Sequence, residues 1–449
     1  MACGWQEILM RQSFDAYVRR PGDADGMARR EKAIAIALAT SERSRQDTLD
    51  NLDELIQLAD TAGAEVVDQV IQPRATPDRA TWMGKGKAEH VKAVADELGA
   101  DLILADDDLT PAQGRNLEAL IGKPVVDRSG LILDIFARRA RTREARTQVE
   151  LAQLKYLLPR LTRAWTHLER QQGGIGMRGP GETQLETDRR IIRTRIRQLE
   201  EDLEHIDRRR ETRRKGREEH FKVALVGYTN VGKSTLLNRL TGADVMVEDR
   251  LFATLDSTVR RLTLEDGTDV LLTDTVGFIR KLPHHLVASF RSTLREAAEA
   301  DLLLHVVDIS HPHMEAQMRA VRGVLQDLGV AETPTLHVFN KVDLMEDPAV
   351  LRQALGHEPA ILVSATEGLR LEDLLRRVSQ SRELGERRVV LCLPWQCQDL
   401  TPRLRAMMRV VDQRAVEEGA LYLLSMPSAS AEDLLRPFLE KGCFLQEKW

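Results

Sequence analysis

Gly227, Tyr228, Thr229, Asn230, Val231, Gly232, Lys233 and Ser234 fit the spacing G-x-x-x-x-G-K-[ST]. Glycines at those positions let successive backbone N–H groups close around an anion, and a helix opening at Lys233 adds its positive end. The Lys233 ammonium is expected to reach the β- and γ-phosphates of a nucleoside triphosphate. The Ser234 hydroxyl is expected to ligate Mg2+. Taken alone, this octet is compatible with an ATP site or a chance loop.

Four further segments narrow the choice. Asn340, Lys341, Val342 and Asp343 follow an apolar run, where a base-reading loop belongs. A carboxylate at Asp343 can accept hydrogen bonds from both N1–H and the N2 amino group of guanine. Adenine offers no such donor pair and would leave the carboxylate without partners. Asp274, Thr275, Val276 and Gly277 end another apolar run. There Asp274 can hold Mg2+ through water, and the Gly277 N–H can sense the γ-phosphate. Phe252, Ala253, Thr254, Leu255 and Asp256 precede them, and Thr254 is the natural second hydroxyl on Mg2+. Ser364, Ala365 and Thr366 are placed to offer backbone N–H groups to the guanine O6. Five elements in this order predict GTP binding and hydrolysis, with Lys233, Thr254 and Gly277 closest to the chemistry.

Phe278 follows Gly277, where many GTPases carry the glutamine that orients the attacking water. A phenyl ring cannot polarise water. Intrinsic hydrolysis is therefore expected to be slow, or to use a group supplied by rearrangement or by a partner. His284 and His285 lie nearby, where a surface or capping role is the plainer reading.

These loops need an α/β scaffold, and the apolar runs supply one. Within an expected GTPase domain over 221–385, residues 222–227 read as the strand that feeds the phosphate loop and 233–240 as the helix that leaves it. Residues 259–265 and 268–274 alternate around Asp266-Gly267, a hairpin turn signal. Residues 302–308, 335–340 and 360–364 read as further buried strands. Upstream, over 31–140, strands at 33–39, 66–71 and 102–105 alternate with helices at 50–62, 87–98 and 111–121. That order predicts a small α/β domain with a parallel sheet. Gly84-Lys85-Gly86-Lys87 is too short for a phosphate motif and reads as a basic turn. Residues 1–30 show no sustained period and read as a poorly ordered extension. Residues 386–449 read as a small α/β appendage, with strands at 389–393 and 421–426 and helices at 402–418 and 431–439.

Residues 141–220 differ. Leu151, Leu154, Leu158, Leu161, Trp165 and Leu168 recur every three or four residues, as do Ile192, Ile196, Leu199, Leu203 and Ile206 after Leu185. Between the two seams, residues 173–181 hold five glycines and a proline and are expected to be non-helical. Two seams joined by such a tip predict an antiparallel helical hairpin, with Pro159 kinking its first helix. From 138 to 217 there are 22 Lys and Arg against 12 Asp and Glu, a net of +10 in a chain of net −5. Concentrated basic charge suits a polyanion contact, although a solvated helical face has equal claim. Arg189, Arg190, Arg193 and Arg197 lie mostly outside the seam and are free to meet phosphate.

No run approaches the roughly 20 apolar residues of a membrane span. The four cysteines form no C-x-x-C pair and read as reduced thiols of a cytoplasmic protein, with peripheral attachment to membranes as a second option.

From about residue 33 to its end the chain resembles the HflX family of ribosome-associated GTPases. The resemblance is carried by DRSGLILDIF at 127–136, GGIGMRGPGETQLETDRR at 173–190, and the GYTNVGKSTL and FATLDST segments. It implies a multidomain α/β fold: an N-terminal α/β domain with a long antiparallel helical hairpin, a Ras-like P-loop GTPase domain and a small C-terminal α/β domain. It further implies that the first domain and the hairpin engage the large ribosomal subunit near its peptidyl-transferase region. Ribosome-stimulated hydrolysis of GTP to GDP and separation of stalled or idle ribosomes into subunits follow from the same resemblance; a monomer is the expected state. Thr366 stands where GTPases at large often carry lysine. Asn230 matches an asparagine with which potassium-stimulated relatives help to hold a monovalent cation, so K+ joins Mg2+ as an expected ion; a loop asparagine bonding its own backbone is the alternative. A rival function is a GTP-switched RNA-binding factor for rRNA maturation or RNA remodelling. A signalling switch acting through the C-terminal appendage fits less well, because it needs no basic arm.

Overall fold

The computed structural model describes residues 29–41, 45–161, 180–214, 220–243, 251–255, 257–281, 296–345, 359–427 and 431–446. The chain divides into two compact units. One comprises Met1–Glu211, Glu248–Asp256 and Val276–Thr293; the other comprises Thr212–Val247, Ser257–Thr275 and Leu294–Trp449. Among the described residues no helix is long and apolar enough to cross a membrane.

In the first unit, β1 (Glu31–Ala39), α1 (Arg45–Ala62), β2 (Ala64–Pro73), α2 (Lys85–Leu98), β3 (Leu102–Ala105), α3 (Pro111–Ile121), β4 (Val125–Asp127) and α4 (Arg128–Arg139) alternate along the chain. The strands form a parallel sheet in the order β2-β1-β3-β4. Six consecutive residues of β1 are buried, as expected of a central strand covered on both faces. Ile34, Ile36, Val91, Ile103 and Leu117 belong to the core of one face. The sequence reading did not assign β4 and α4. Three strand residues are too few to show a period, and α4 starts without a loop. Its cap is Asp127, whose side chain accepts from the Gly130 N–H at 2.8 Å. Gly84-Lys85-Gly86-Lys87 is also corrected: Gly84 caps α2, and the next three residues form its first turn.

The hairpin helices are α5 (Arg143–Leu157) and α6 (Pro180–Arg214). Leu151 and Leu154 pack with Ile192 and Leu199, flanked by Leu158, Leu161, Ile196 and Leu203. Glu150 pairs with Arg195 and Lys155 with Glu200, both at 2.7 Å. The first two residues each precede a seam position and the other two each follow one. Like flanks meet only when one helix runs opposite to the other. Pro159 does not kink the first helix. The helix ends at Leu157, and the chain turns through residues 158–160, where proline lacks the N–H that a helix would need. Pro180 and Gly181, expected in the non-helical tip, open α6 instead, a position that tolerates proline. Trp165, Leu168 and tip residues 173–179 lie outside the described residues, as do residues 1–28 of the expected extension.

The second unit holds β5 (Phe221–Gly227), α7 (Lys233–Thr241), β6 (Thr258–Thr263), β7 (Asp269–Asp274), β8 (Leu302–Asp308), α8 (Met314–Asp327), β9 (Thr335–Asn340), β10 (Ala360–Leu362) and α9 (Leu371–Gly385). Its six-stranded sheet runs β10-β9-β8-β5-β7-β6, with only β6 antiparallel to its neighbour. Beyond it come β11 (Glu386–Pro394), α10 (Thr401–Met407), β12 (Arg409–Val416), β13 (Gly419–Pro427), α11 (Ala431–Leu439) and β14 (Phe444–Gln446), whose antiparallel sheet runs β12-β13-β11-β14. The single helix expected over 402–418 is therefore wrong. It stops at Met407, and the following residues pair with β13 as an edge strand. Arg, Gln and Ala favour helix locally, but the ladder satisfies the backbone, and charged side chains are at home on an exposed edge.

Candidate nucleotide site

The site grows from the carboxyl ends of parallel strands, where open α/β sheets hold ligands. β5 ends at Gly227, and a Cβ there would strike the Val306 carbonyl oxygen of β8. Gly232 has φ +92°, and a Cβ on it would strike the Asn340 side chain. Only glycine meets both demands. Tyr228, Thr229 and Val231 are buried, whereas Asn230 is exposed at the loop tip with φ +62°.

Lys233 is buried, and its ammonium donates to the Tyr228 carbonyl at 2.7 Å and to the Gly227 carbonyl at 3.2 Å. Burial lowers its pKa to about 8, opposed by the carboxylate of Asp274. The Ser234 hydroxyl donates to Asp274 Oδ2 at 2.6 Å. Two hard oxygen donors thus converge beside the phosphate loop, a donor set that suits Mg2+. Thr275 is fully buried and donates its hydroxyl to the Leu225 carbonyl at 2.7 Å, which fixes the end of β7 on β5.

Asn340, at the end of β9, braces two loops. Its Nδ2 donates to the Val231 carbonyl and its Oδ1 accepts from the Ala365 N–H, both at 2.9 Å. Lys341, at φ +65°, pairs with Asp308 at 2.6 Å and donates to the Asn230 carbonyl at 3.1 Å. Val342 and Asp343 enter a short 3-10 turn, which leaves the Asp343 carboxylate exposed. Ser364 and Ala365 are buried; Thr366 is exposed, and its carbonyl accepts from Arg239 at 2.5 Å. The second unit therefore brings together the phosphate loop, Asp274 and Thr275, the base loop and the Ser364–Thr366 turn.

The remaining site residues fall in the first unit. Phe252, at φ +55°, is buried edge-on against Phe136, with ring centroids 4.7 Å apart. Ala253 and Thr254 are half-buried and Leu255 is buried. Val276 and Gly277 are buried, as are Phe278 and Ile279, each 1% exposed. Phe278 thus packs as a core side chain and presents no polar atom to a water. Asp256, His284 and His285 lie outside the described residues. Sequence reasoning gave no role to the charged residues just beyond, Arg280 and Lys281, nor to Asp106, Asp107 and Arg128, which meet them. The signal was present as an acidic run at the end of a strand and the arginine of the DRSG segment.

A mostly parallel sheet with the G-x-x-x-x-G-K-S loop, Asp274 and the Asn340–Asp343 loop at its strand ends has the build of a P-loop GTPase, and the chain is an enzyme that hydrolyses GTP. Residues 222–341 match the family model described as a 50S ribosome-binding GTPase. Residues 49–137 match a GTP-binding GTPase N-terminal region, and residues 139–217 a GTP-binding GTPase middle region. The chain is 46% identical over 412 residues to the GTPase HflX of Caldanaerobacter subterraneus, covering 91% of this chain and 94% of that one. It is 44% identical over 382 residues to the GTPase HflX of Escherichia coli K12, covering 84% and 89%. The chain belongs to the HflX family of GTPases.

Proposed function

We propose that this GTPase binds the large ribosomal subunit in the cytoplasm and dissociates stalled or idle ribosomes into subunits, with hydrolysis stimulated by the ribosome. The observation that carries the reading is the row of exposed arginines, Arg190, Arg193 and Arg197, on α6 outside its apolar seam. A basic helix on an otherwise acidic chain is a local footprint for RNA phosphate. The match of residues 222–341 to a ribosome-binding GTPase model supports the same partner.

At the site, Ser234 and Thr254 are the proposed Mg2+ ligands, with Asp274 acting through water. When bound, the ion neutralises charge on the phosphates. Lys233 and the backbone from Gly227 to Ser234 hold the phosphates, Gly277 senses the γ-phosphate, Asp343 reads guanine, and the Ser364–Thr366 turn meets its O6. Asn230 is the proposed contact for K+. Buried Phe278 leaves the attacking water without an orienting group, so the ribosome must complete or rearrange the site.

Two measurements test the reading. Intact ribosomes mixed with the protein and GTP should resolve into subunits on a sucrose gradient. Phosphate release should rise well above tenfold, about 1.4 kcal/mol of barrier, when large subunits are added. Binding and stimulation without splitting would favour the GTP-switched RNA-binding factor instead. Fast hydrolysis by the isolated protein, with no gain from subunits, would overturn the reading of Phe278.

A further inference from the structure

The cysteines form no motif along the chain, but the fold brings two of them together beside the C-terminal antiparallel sheet. Cys397 lies at a kink in the 3-10 segment Trp395–Leu400, which follows β11. Cys443 lies between α11 and β14, in a turn built around the Phe438 carbonyl. That oxygen accepts from the N–H groups of Lys441 and Cys443, both at 3.1 Å. Gly442, at φ +92°, lets the chain make the turn. The Cys443 thiol is within hydrogen-bonding reach of the Cys397 thiol, and Cys397 Sγ donates to the Lys441 carbonyl at 3.3 Å. Both side chains pack with the core that contains Leu391, Leu393 and Phe438.

The two thiols differ in the way a reactive pair requires. Cys443 is buried, whereas Cys397 is half-buried and reachable by a small solute. Burial, and then the neighbouring Cys397, push the Cys443 thiol up to about 11, which makes it a poor first nucleophile. Cys392 is buried too, but the two-residue period of β11 turns it to the other face, with Val390 and Leu421. β14 is a short edge strand. It holds to β11 through three residue pairs, Gln446 with Val390, Leu445 with Leu391 and Phe444 with Cys392. A covalent bond at Cys443 anchors the residue immediately before that strand.

We propose that Cys397 and Cys443 are a peroxide-sensing thiol pair, in which Cys397 takes the oxidant, Cys443 resolves it, and the resulting disulfide pins β14. The Cys397 thiolate attacks one oxygen of hydrogen peroxide. An S–O bond forms, the O–O bond breaks, and the departing hydroxide takes up the proton the thiol gave, as water. The Cys443 thiolate then attacks the sulfur of that sulfenic acid. An S–S bond forms, the S–O bond breaks, and a second water leaves. Two thiols and one peroxide thus give one disulfide and two waters, with two electrons passing from sulfur to oxygen. The high pKa of Cys443 slows the second step, but its fixed place beside Cys397 offsets this, as for any well-oriented intramolecular reaction. A disulfide needs its sulfurs about 2 Å apart, so little motion separates the neighbouring thiols from closure. Exchange with an added thiol restores the reduced pair.

The test uses the full chain, reduced, freed of reductant and treated with hydrogen peroxide. After free thiols are blocked and the chain is digested with trypsin, peptides 389–403 and 442–448 should appear joined. Their mass should be the sum less two hydrogen atoms, and fragmentation should place the bond at Cys397 rather than Cys392. Dithiothreitol should reverse it. Amide exchange over 443–446 should slow by at least about tenfold in the oxidised chain. Cys392→Ser should leave both results intact, and Cys397→Ser should abolish both. In Cys443→Ser the sulfenic acid should persist at Cys397 and be trapped by dimedone. If that buried substitution prevents folding, Cys397→Ser at its half-buried position decides. Four outcomes would overturn the proposal: oxidation of Cys397 without a bond, a bond through Cys3 or Cys392, an undiminished bond in Cys397→Ser, or a bond that leaves exchange over 443–446 unchanged.

Discussion

The side-chain nitrogen of Asn340 donates to the carbonyl oxygen of Val231, 109 residues earlier in the chain, at 2.9 Å. The other end of the same amide accepts from the Ala365 N–H. One buried side chain therefore ties the phosphate loop to the turn proposed to meet guanine. Replacing Asn340 by Ala leaves a buried carbonyl and a buried N–H without partners, each costing on the order of 1–3 kcal/mol. GTP and GDP affinities should fall together by roughly 30-fold, because the brace does not distinguish the γ-phosphate. Fluorescent-nucleotide titration checks this; loss confined to GTP would refute it.

Guanine selectivity is assigned to Asp343, whose exposed carboxylate is presented by the turn after β9. Asp343→Asn should weaken GTP binding by more than ~2 kcal/mol, the scale of a lost charged hydrogen-bond pair. The variant should then favour xanthosine triphosphate, whose N1 and C2 edge complements an amide. Equal and wild-type affinities for both nucleotides in the variant would contradict the assignment.

The pH response of the site follows from Lys233. Burial brings its pKa to about 8, below the usual 10.5. Between those values the unfolded chain holds a proton that the folded chain has released, so this group adds stability to the nucleotide-free protein as pH rises from 8 towards 10.5. Triphosphate binding runs the other way, because the phosphates favour the ammonium. At pH 8.5, GTP binding should take up roughly three quarters of a proton, and at pH 6.5 almost none. Calorimetry in buffers of different ionisation enthalpy measures the uptake, and none at pH 8.5 would mean that Lys233 stays charged.

Binding and splitting should separate within the hairpin. Charge reversal at Arg189, Arg190, Arg193 and Arg197 should weaken ribosome binding and flatten its salt dependence. The tip residues 173–179 carry only Arg178 as a charge and contribute little to that term. Replacing them with a Ser/Gly linker should leave GTP affinity intact and ribosome affinity only modestly reduced, yet abolish splitting. Co-sedimentation and splitting assays across a salt series decide; wild-type splitting by the linker variant would make the tip a mere connector.

Much of this protein was legible because local chemistry dictated it. The phosphate loop needs glycine at Gly227 and Gly232, and φ +92° with no room for a Cβ shows why at the second. Strands such as β3, β8 and β9 were legible to the residue because strands inside a parallel sheet are dense in apolar residues. Where the pattern was short or the pairing distant, the reading failed. β4 has three residues. β12 looks helical by composition and becomes a strand only because β13 lies beside it.

The sequence by itself determined the reaction, since phosphate and guanine recognition are contiguous motifs whose spacing must match the nucleotide. Tertiary structure alone decided what surrounds those motifs. Asn340 reaches back to Val231. Phe278 is core. Lys281 meets Asp107, 174 positions earlier in the chain. A motif is encoded over a few residues, but a buried charge pair depends on which distant segments the fold brings together and how much water it excludes, and neither is written at any one place in the chain.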